Sequence, residues 1–121
     1  MFSKKTVGRL GEDLAANFLR DQGYTILARN YVTRRGEIDI VCKKNKTIIF
    51  VEVKTRSNNT CGYPEEAITK TKAAHLINSA FEYMKYTKQS WQIDLITVEL
   101  FRHQPPVITH WPQIIDETAH S

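Results

Sequence analysis

Cysteine and histidine are scarce in this 121-residue chain, which has two of the first and four of the second. Cys42 and Cys61 are too few for a disulfide framework, and a reducing, cytoplasmic compartment is expected. None of His75, His103, His110 and His120 stands in close ligand spacing with another histidine or a cysteine, which argues against a zinc site. Long apolar runs are absent as well. The longest purely apolar stretch, Ile48 to Val51, is four residues, against the ~18 of a membrane-spanning helix, so no membrane is expected as a partner. The lysines near the N-terminus have no apolar core of roughly 7–15 residues behind them and do not read as a secretory signal. No repeat, low-complexity tract or Gly/Ser linker divides the chain, and residues 1–121 read as a single domain.

What is present is a globular composition with a mild excess of positive charge. Hydrophobic residues make up 41% and charged residues 25%, and 17 Lys and Arg against 13 Asp and Glu give +4. That balance permits a polyanionic partner without requiring one.

The patterning predicts a helix over residues 6–22, with Val7, Leu10, Leu14 and Phe18 at helical spacing and Gly23 where a C-terminal cap belongs. Strands are expected at Tyr24–Tyr31, over 37–42 and over 48–53, the last two joined by the polar turn Lys43 to Lys46. After a loop marked by Gly62 and Pro64, a second helix is expected from about Thr69 to Tyr86, with Ala73, Leu76, Ile77, Ala80 and Met84 on one stripe. Trp91 to Leu100 reads as a long strand and Val107 to Trp111 as a short one beyond Pro105 and Pro106. The order α-β-β-β-α-β(-β) implies an α/β fold with a single mixed sheet and flanking helices.

Gly36 to Arg56, GEIDIVCKKNKTIIFVEVKTR, carries the chemistry. Strand residues of equal parity share a face, which groups Glu37 with Asp39, Ile38 with Ile40, and Glu52 with Lys54. If Asn45-Lys46 is a two-residue turn, Lys44 faces Thr47, Asp39 comes opposite Glu52, and Glu37 comes opposite Lys54. Opposed carboxylates repel. A shared proton or a hard divalent cation cancels that repulsion, and oxygen donors with water suit Mg²⁺ or Mn²⁺. Lys54 adds a positive charge for a phosphate oxygen or a nucleophilic water. The plain alternative is the solvated face of an amphipathic hairpin. Against it, Glu52 and Lys54 interrupt the most hydrophobic segment of the chain, where unpaired charge is costly.

At these residues the sequence resembles the PD-(D/E)XK nucleases. More closely, Gly11-Glu12, Gly23-Tyr24, Asn30-Tyr31, Gly36-Glu37-Ile38-Asp39 and Phe50 to Arg56 resemble the YraN-like family, small bacterial proteins described as predicted endonucleases and related to archaeal Holliday junction resolvases. The resemblance covers nearly the whole chain and implies a restriction-endonuclease-like fold. It implies catalytic Asp39, Glu52 and Lys54, and metal ligands Asp39, Glu52, the Val53 carbonyl and Glu12. Gly8 and Ala15 are the small residues expected to let the Glu12 helix approach the sheet. The superfamily's proline is Ile38 here. Where the family often carries an arginine, this chain reads Trp91-Gln92-Ile93-Asp94 and lacks that basic contact.

The expected activity is that of a Mg²⁺- or Mn²⁺-dependent endonuclease hydrolysing phosphodiester bonds in DNA, with branched or junction DNA as the implied substrate. Arg34, Arg35 and Arg56 bracket the acidic residues in sequence and are candidate nucleic-acid contacts. Lys72, which matches a lysine on the family's second helix, is another, and Tyr63 is a stacking candidate. A homodimer is implied by likeness to the resolvases. The competing reading is a non-catalytic nucleic-acid-binding module, whose affinity would be indifferent to Asp39 and steeply dependent on salt. A structural protein with an exposed charged hairpin ranks third.

Overall fold

The computed structural model describes residues 3–57 and 68–115. Gly62, Tyr63, Pro64, Cys61 and His120 therefore lie outside the described residues. Helix α1 covers Lys4–Asp21. The Ser3 side chain opens it by accepting from the Thr6 N–H at 3.1 Å, one of the amide groups that the first turn leaves without a helical partner. Gly23, at φ 91°, turns the chain out of the helix as expected. Three antiparallel strands follow: β1 (Thr25–Thr33), β2 (Gly36–Lys44) and β3 (Thr47–Arg56). Helix α2 (Lys70–Tyr83) crosses over to β4 (Ser90–Glu99), which lies parallel to β3. The second helix is shorter than its apolar stripe predicts, because Met84–Tyr86 tightens into a 3-10 turn. Strand β5 runs Val107–Ile115, longer than expected, and pairs antiparallel with β4. The five-stranded sheet has the order β1-β2-β3-β4-β5. It bears out the mixed α/β architecture, with the β3-α2-β4 crossover as its parallel step.

Each helix covers one face. Ala15, Ala16 and Leu19 of α1 pack on Ile40, Cys42, Ile49, Val51, Ile96 and Val98. Leu76 and Ala80 of α2, with Met84, pack on Ile38, Val41, Ile48, Phe50 and Ile93. The central strand β3 contributes to both clusters because its alternation is unbroken. Strand β2 does not alternate throughout: Ile38 faces α2, while Ile40, two residues on, faces α1. The expectation that Ile38 and Ile40 share a face is overturned, and the break falls on Asp39.

Asp94 is fully buried. Its carboxylate accepts from Gln92 Nε2 at 2.9 Å and from the Gln113 N–H at 3.0 Å, and lies 2.6 Å from His110 Nε2. Gln113 has φ 47°, and the β4–β5 register slips between Ile93 and Leu95, so this carboxylate organises the irregular end of the last hairpin. Burial, and then the Asp94 charge, push the Cys42 thiol up to about 12, leaving a protonated core residue. Asp94→Ala strands these donors beneath the sheet surface. It is expected to cost about 2 kcal/mol in urea denaturation, most of it from the unsatisfied groups; a loss under 0.5 kcal/mol would show that water replaces the carboxylate freely.

Candidate active site

The β2–β3 hairpin has the register expected from a two-residue turn, with Lys44 opposite Thr47 and Asn45 in the left-handed region at φ 56°. Backbone pairing ends at Ile40 and Val51. One residue further, where Asp39 would meet Glu52, the Asp39 side chain replaces the ladder: its Oδ2 accepts the Val53 N–H at 2.8 Å. The strands part there, and the site occupies the gap. The expected Glu37–Lys54 opposition does not form. Pairing with β3 has already ended before Glu37, whose one ladder partner is Val32 on the other neighbour, β1.

Asp39, Glu52, Val53, Lys54 and Thr55 line an open cleft of about 490 Å³, with Lys4, Val7, Gly8 and Glu12 of α1 on its other wall. Burial is the largest influence holding the Asp39 carboxyl far above the ordinary carboxylate range, followed by a hydrogen bond from its protonated form to Glu52 and by the Glu52 charge. Glu52 is only 8% exposed. Its Oε2 is buried with no hydrogen bond, although Lys72 Nζ lies 3.1 Å away as an ion-pair partner. The charge is thus balanced but the lone pairs are not saturated.

Glu12 reaches the cleft because α1 lies almost on top of β3 at Gly11. A Cβ on Gly11 would sit 1.8 Å from Thr55 Oγ1. This corrects the expected role of Gly8, beside which a Cβ would meet nothing within 4 Å. Ala15 is buried in the contact, as expected. Glu12 lines the cleft, near enough for the Asp39 charge to help raise its pKa. Its Oε1 accepts from Asn30 Nδ2 at 2.8 Å and lies 4.0 Å from Arg29. Burial chiefly raises its pKa, and the Asn30 hydrogen bond opposes this. Among the described residues no three His, Cys, Asp or Glu side chains gather closely enough to hold a metal ion.

Asn30 carries no expected role, yet it organises this wall. It sits in the left-handed region at φ 51°, which asparagine tolerates better than most residues. Its Nδ2 donates both to Glu12 and to Glu37 Oε1, the latter at 2.9 Å. An asparagine inside a strand is the signal that could have found it.

The expected cations fall into four groups. Lys54 is exposed on the cleft. Arg34 and Arg35 form the exposed tip of the β1–β2 hairpin, at the same end of the sheet. That tip is braced, since Thr33 Oγ1 accepts from the Arg35 N–H at 3.1 Å and lies 2.7 Å from Ser79 Oγ of α2. Arg56 ends β3, is half-buried and is engaged with neighbouring groups. Lys72 is turned inward onto Glu52 rather than outward as a backbone contact. No helix among the described residues is long and apolar enough to cross a membrane.

The profile of the uncharacterised protein family UPF0102 matches residues 11–98, the span that holds Glu12, Asn30, Asp39, Glu52, Lys54 and Lys72. A UPF0102 protein of Syntrophomonas wolfei is 51% identical over 83 residues, 69% of this chain and 72% of its own. One from Lachnoclostridium phytofermentans is 52% identical over 82 residues, covering 68% and 70%. One from Mycolicibacterium vanbaalenii is 35% identical over 111 residues, covering 89% and 92%.

Proposed function

For a chain that belongs to the uncharacterised protein family UPF0102, we infer from the site itself a metal-dependent endonuclease acting on DNA. The observation that carries this reading is the Glu52 Oε2, buried without a hydrogen bond beside an Asp39 carboxyl whose pKa burial and Glu52 raise. Two adjoining carboxyl groups, one of them with an oxygen left without a hydrogen bond, at an open cleft suit a hard divalent cation that keeps several of its waters. Asp39 and Glu52 would hold Mg²⁺ or Mn²⁺, with the Val53 carbonyl. Two carboxylates and water make a sufficient set for magnesium, so Glu12 is not needed as a direct ligand.

Such an ion, when bound, polarises a phosphate and lowers the pKa of an attacking water. The chain's own residues do the rest. The Val53 N–H fixes the Asp39 carboxyl in orientation. Lys54, exposed on the cleft, meets the negative charge growing on the phosphoryl oxygens. Glu12, held by Asn30, offers an acceptor to a water on the far wall. Arg34 and Arg35, on their braced tip, reach the phosphates flanking the scissile bond. Phosphodiester hydrolysis demands a barrier reduction well above ~10 kcal/mol, which hydrogen bonds alone do not supply. The homodimer belongs to this reading through the likeness to junction resolvases, and sedimentation of the purified chain tests it.

The test is cleavage of labelled single-stranded, duplex, flap and four-way-junction DNA, with RNA alongside, in Mg²⁺, Mn²⁺ or EDTA. Expected is metal-dependent cutting of DNA that EDTA, Asp39→Asn and Lys54→Ala each abolish. Cutting that persists in excess EDTA would sink the mechanism. Salt-dependent binding without cutting, unchanged by both substitutions, would replace it with the binding-module reading.

A further inference from the structure

Lys72 is a cation inside a site read here as binding a cation, and the two cannot hold Glu52 at once. Its placement is built into the fold. The Thr69 side chain caps α2 by accepting the Lys72 N–H at 3.1 Å, which sets this residue in the first turn above the parted strands. From there Nζ reaches to 3.1 Å from Glu52 Oε2. The contact balances charge but leaves that oxygen without a hydrogen bond. Exposure is lopsided across the pair. The Lys72 side chain is 41% exposed and the Glu52 side chain 11%, so the lysine can swing out into solvent while the glutamate stays in the wall of the cleft. Lys72 also acts on Asp39, where its charge is among the influences that oppose the raised pKa. One ammonium therefore faces both carboxylates.

We propose that Lys72 is the resident cation of the metal-free site and that a divalent ion binds by displacing it from Glu52, so that Lys72 sets the metal affinity. The proposal rests on the metal reading of the cleft. Without Lys72, Glu52 would stand buried and uncompensated, which destabilises a metal-free protein strongly. With it, the empty site is neutralised, and an incoming ion must first break the pair. The energy of that pair is subtracted from the ion's binding. Lys72 is thus a positioning residue for charge and touches neither metal nor substrate in this role.

The test is Mn²⁺ titration of the full-length protein by calorimetry, with the Mn²⁺-induced shift in melting temperature as a second readout. Lys72→Met keeps the apolar stem and removes the charge. It is expected to lower the Kd for Mn²⁺ about tenfold, within the range of ordinary coupling between sites, and to enlarge the melting shift. Lys72→Arg keeps the charge and is expected to stay within about threefold of wild type. Lys72→Gln serves as the neutral variant should the methionine protein fail to fold. A purely structural brace would lower stability in both neutral variants without tightening Mn²⁺, and that result overturns the proposal. If the wild type binds Mn²⁺ and the neutral variants bind it equally or more weakly, the role of Lys72 falls and the metal site stands. If the wild type binds no Mn²⁺ at millimolar concentration, both readings fall together.

Discussion

Asp39→Asn is expected to abolish metal-dependent cleavage and, in chelator, to make the protein more stable at pH 8 than the wild type. Both effects have one cause. In the folded chain the Asp39 carboxyl is pushed up to about 8 by burial and by Glu52, whereas its ordinary value is 3.8. The folded state thus holds a proton that the unfolded state has already released. Stability must fall as pH rises from about 4 to about 8, and the loss is complete above that window. Below pH 4 both states are protonated and the group is neutral in its effect. Asparagine is uncharged throughout and keeps an oxygen for the Val53 N–H, so the variant should show none of this decline. At pH 8 the difference should be on the order of a few kcal/mol. It is read as the gap between wild-type and variant melting temperatures across a pH series in EDTA. Adding Mg²⁺ should close the gap by stabilising only the wild type. The cleavage rate should drop by at least roughly 10²–10³-fold, the usual effect of losing one strong electrostatic contact in an active site. Parallel pH profiles for the two proteins in EDTA would show that Asp39 carries no such proton.

The second large effect is expected at Gly11, where the helix meets the sheet. A methyl group there would overlap Thr55 Oγ1 at 1.8 Å, and would also meet Thr55 Cβ at 2.8 Å and Cγ2 at 2.9 Å. Rotation of the threonine can relieve the outer two atoms but not its Cβ. Gly11→Ala must therefore lift α1 off β3, at a cost of about 3 kcal/mol, or roughly 10 °C in melting temperature for a chain of this size. The same movement withdraws Glu12 from the cleft, so activity should fall further than the lost folded fraction explains. Thr55→Gly removes all three offending atoms. The double variant should therefore recover more stability than the two single costs would sum to, a coupling read from a double-mutant cycle. Strict additivity would mean that the helix and strand do not press on each other at this point.

The Asn45-Lys46 turn and the parity of β3 were legible in the residues, because hairpin register follows turn length and period-two patterning. They correctly bring Asp39 toward Glu52. Family membership was legible in the same motifs. Gly36 to Asp39 and Phe50 to Arg56 lie within the matched span, and the glutamate and lysine among them interrupt a run that is otherwise apolar. By contrast, the break in β2 at Asp39 was hidden. Ile38 and Ile40 read as one face, and they point to opposite helices at the point where the Asp39 side chain takes the Val53 amide in place of a backbone carbonyl. The restraint of Glu12 by Asn30 was hidden too, since it joins residues 18 apart in the chain, and the asparagine inside a strand marks only the unusual backbone and not its partner. Lys72 read as a nucleic-acid contact from its match to a lysine of the family's second helix, and Gly8 looked like the close approach from its size.

By itself, then, the sequence determined the elements, their order, the acidic pair and the cations around it, because these depend on periodicity, turn chemistry and the cost of burying charge. Only the tertiary structure decided which small residue admits the helix, which carboxylate is left with an unused oxygen, and which lysine faces it. Those outcomes are set by distances of a few ångströms between elements far apart in the chain, where packing rather than local preference chooses.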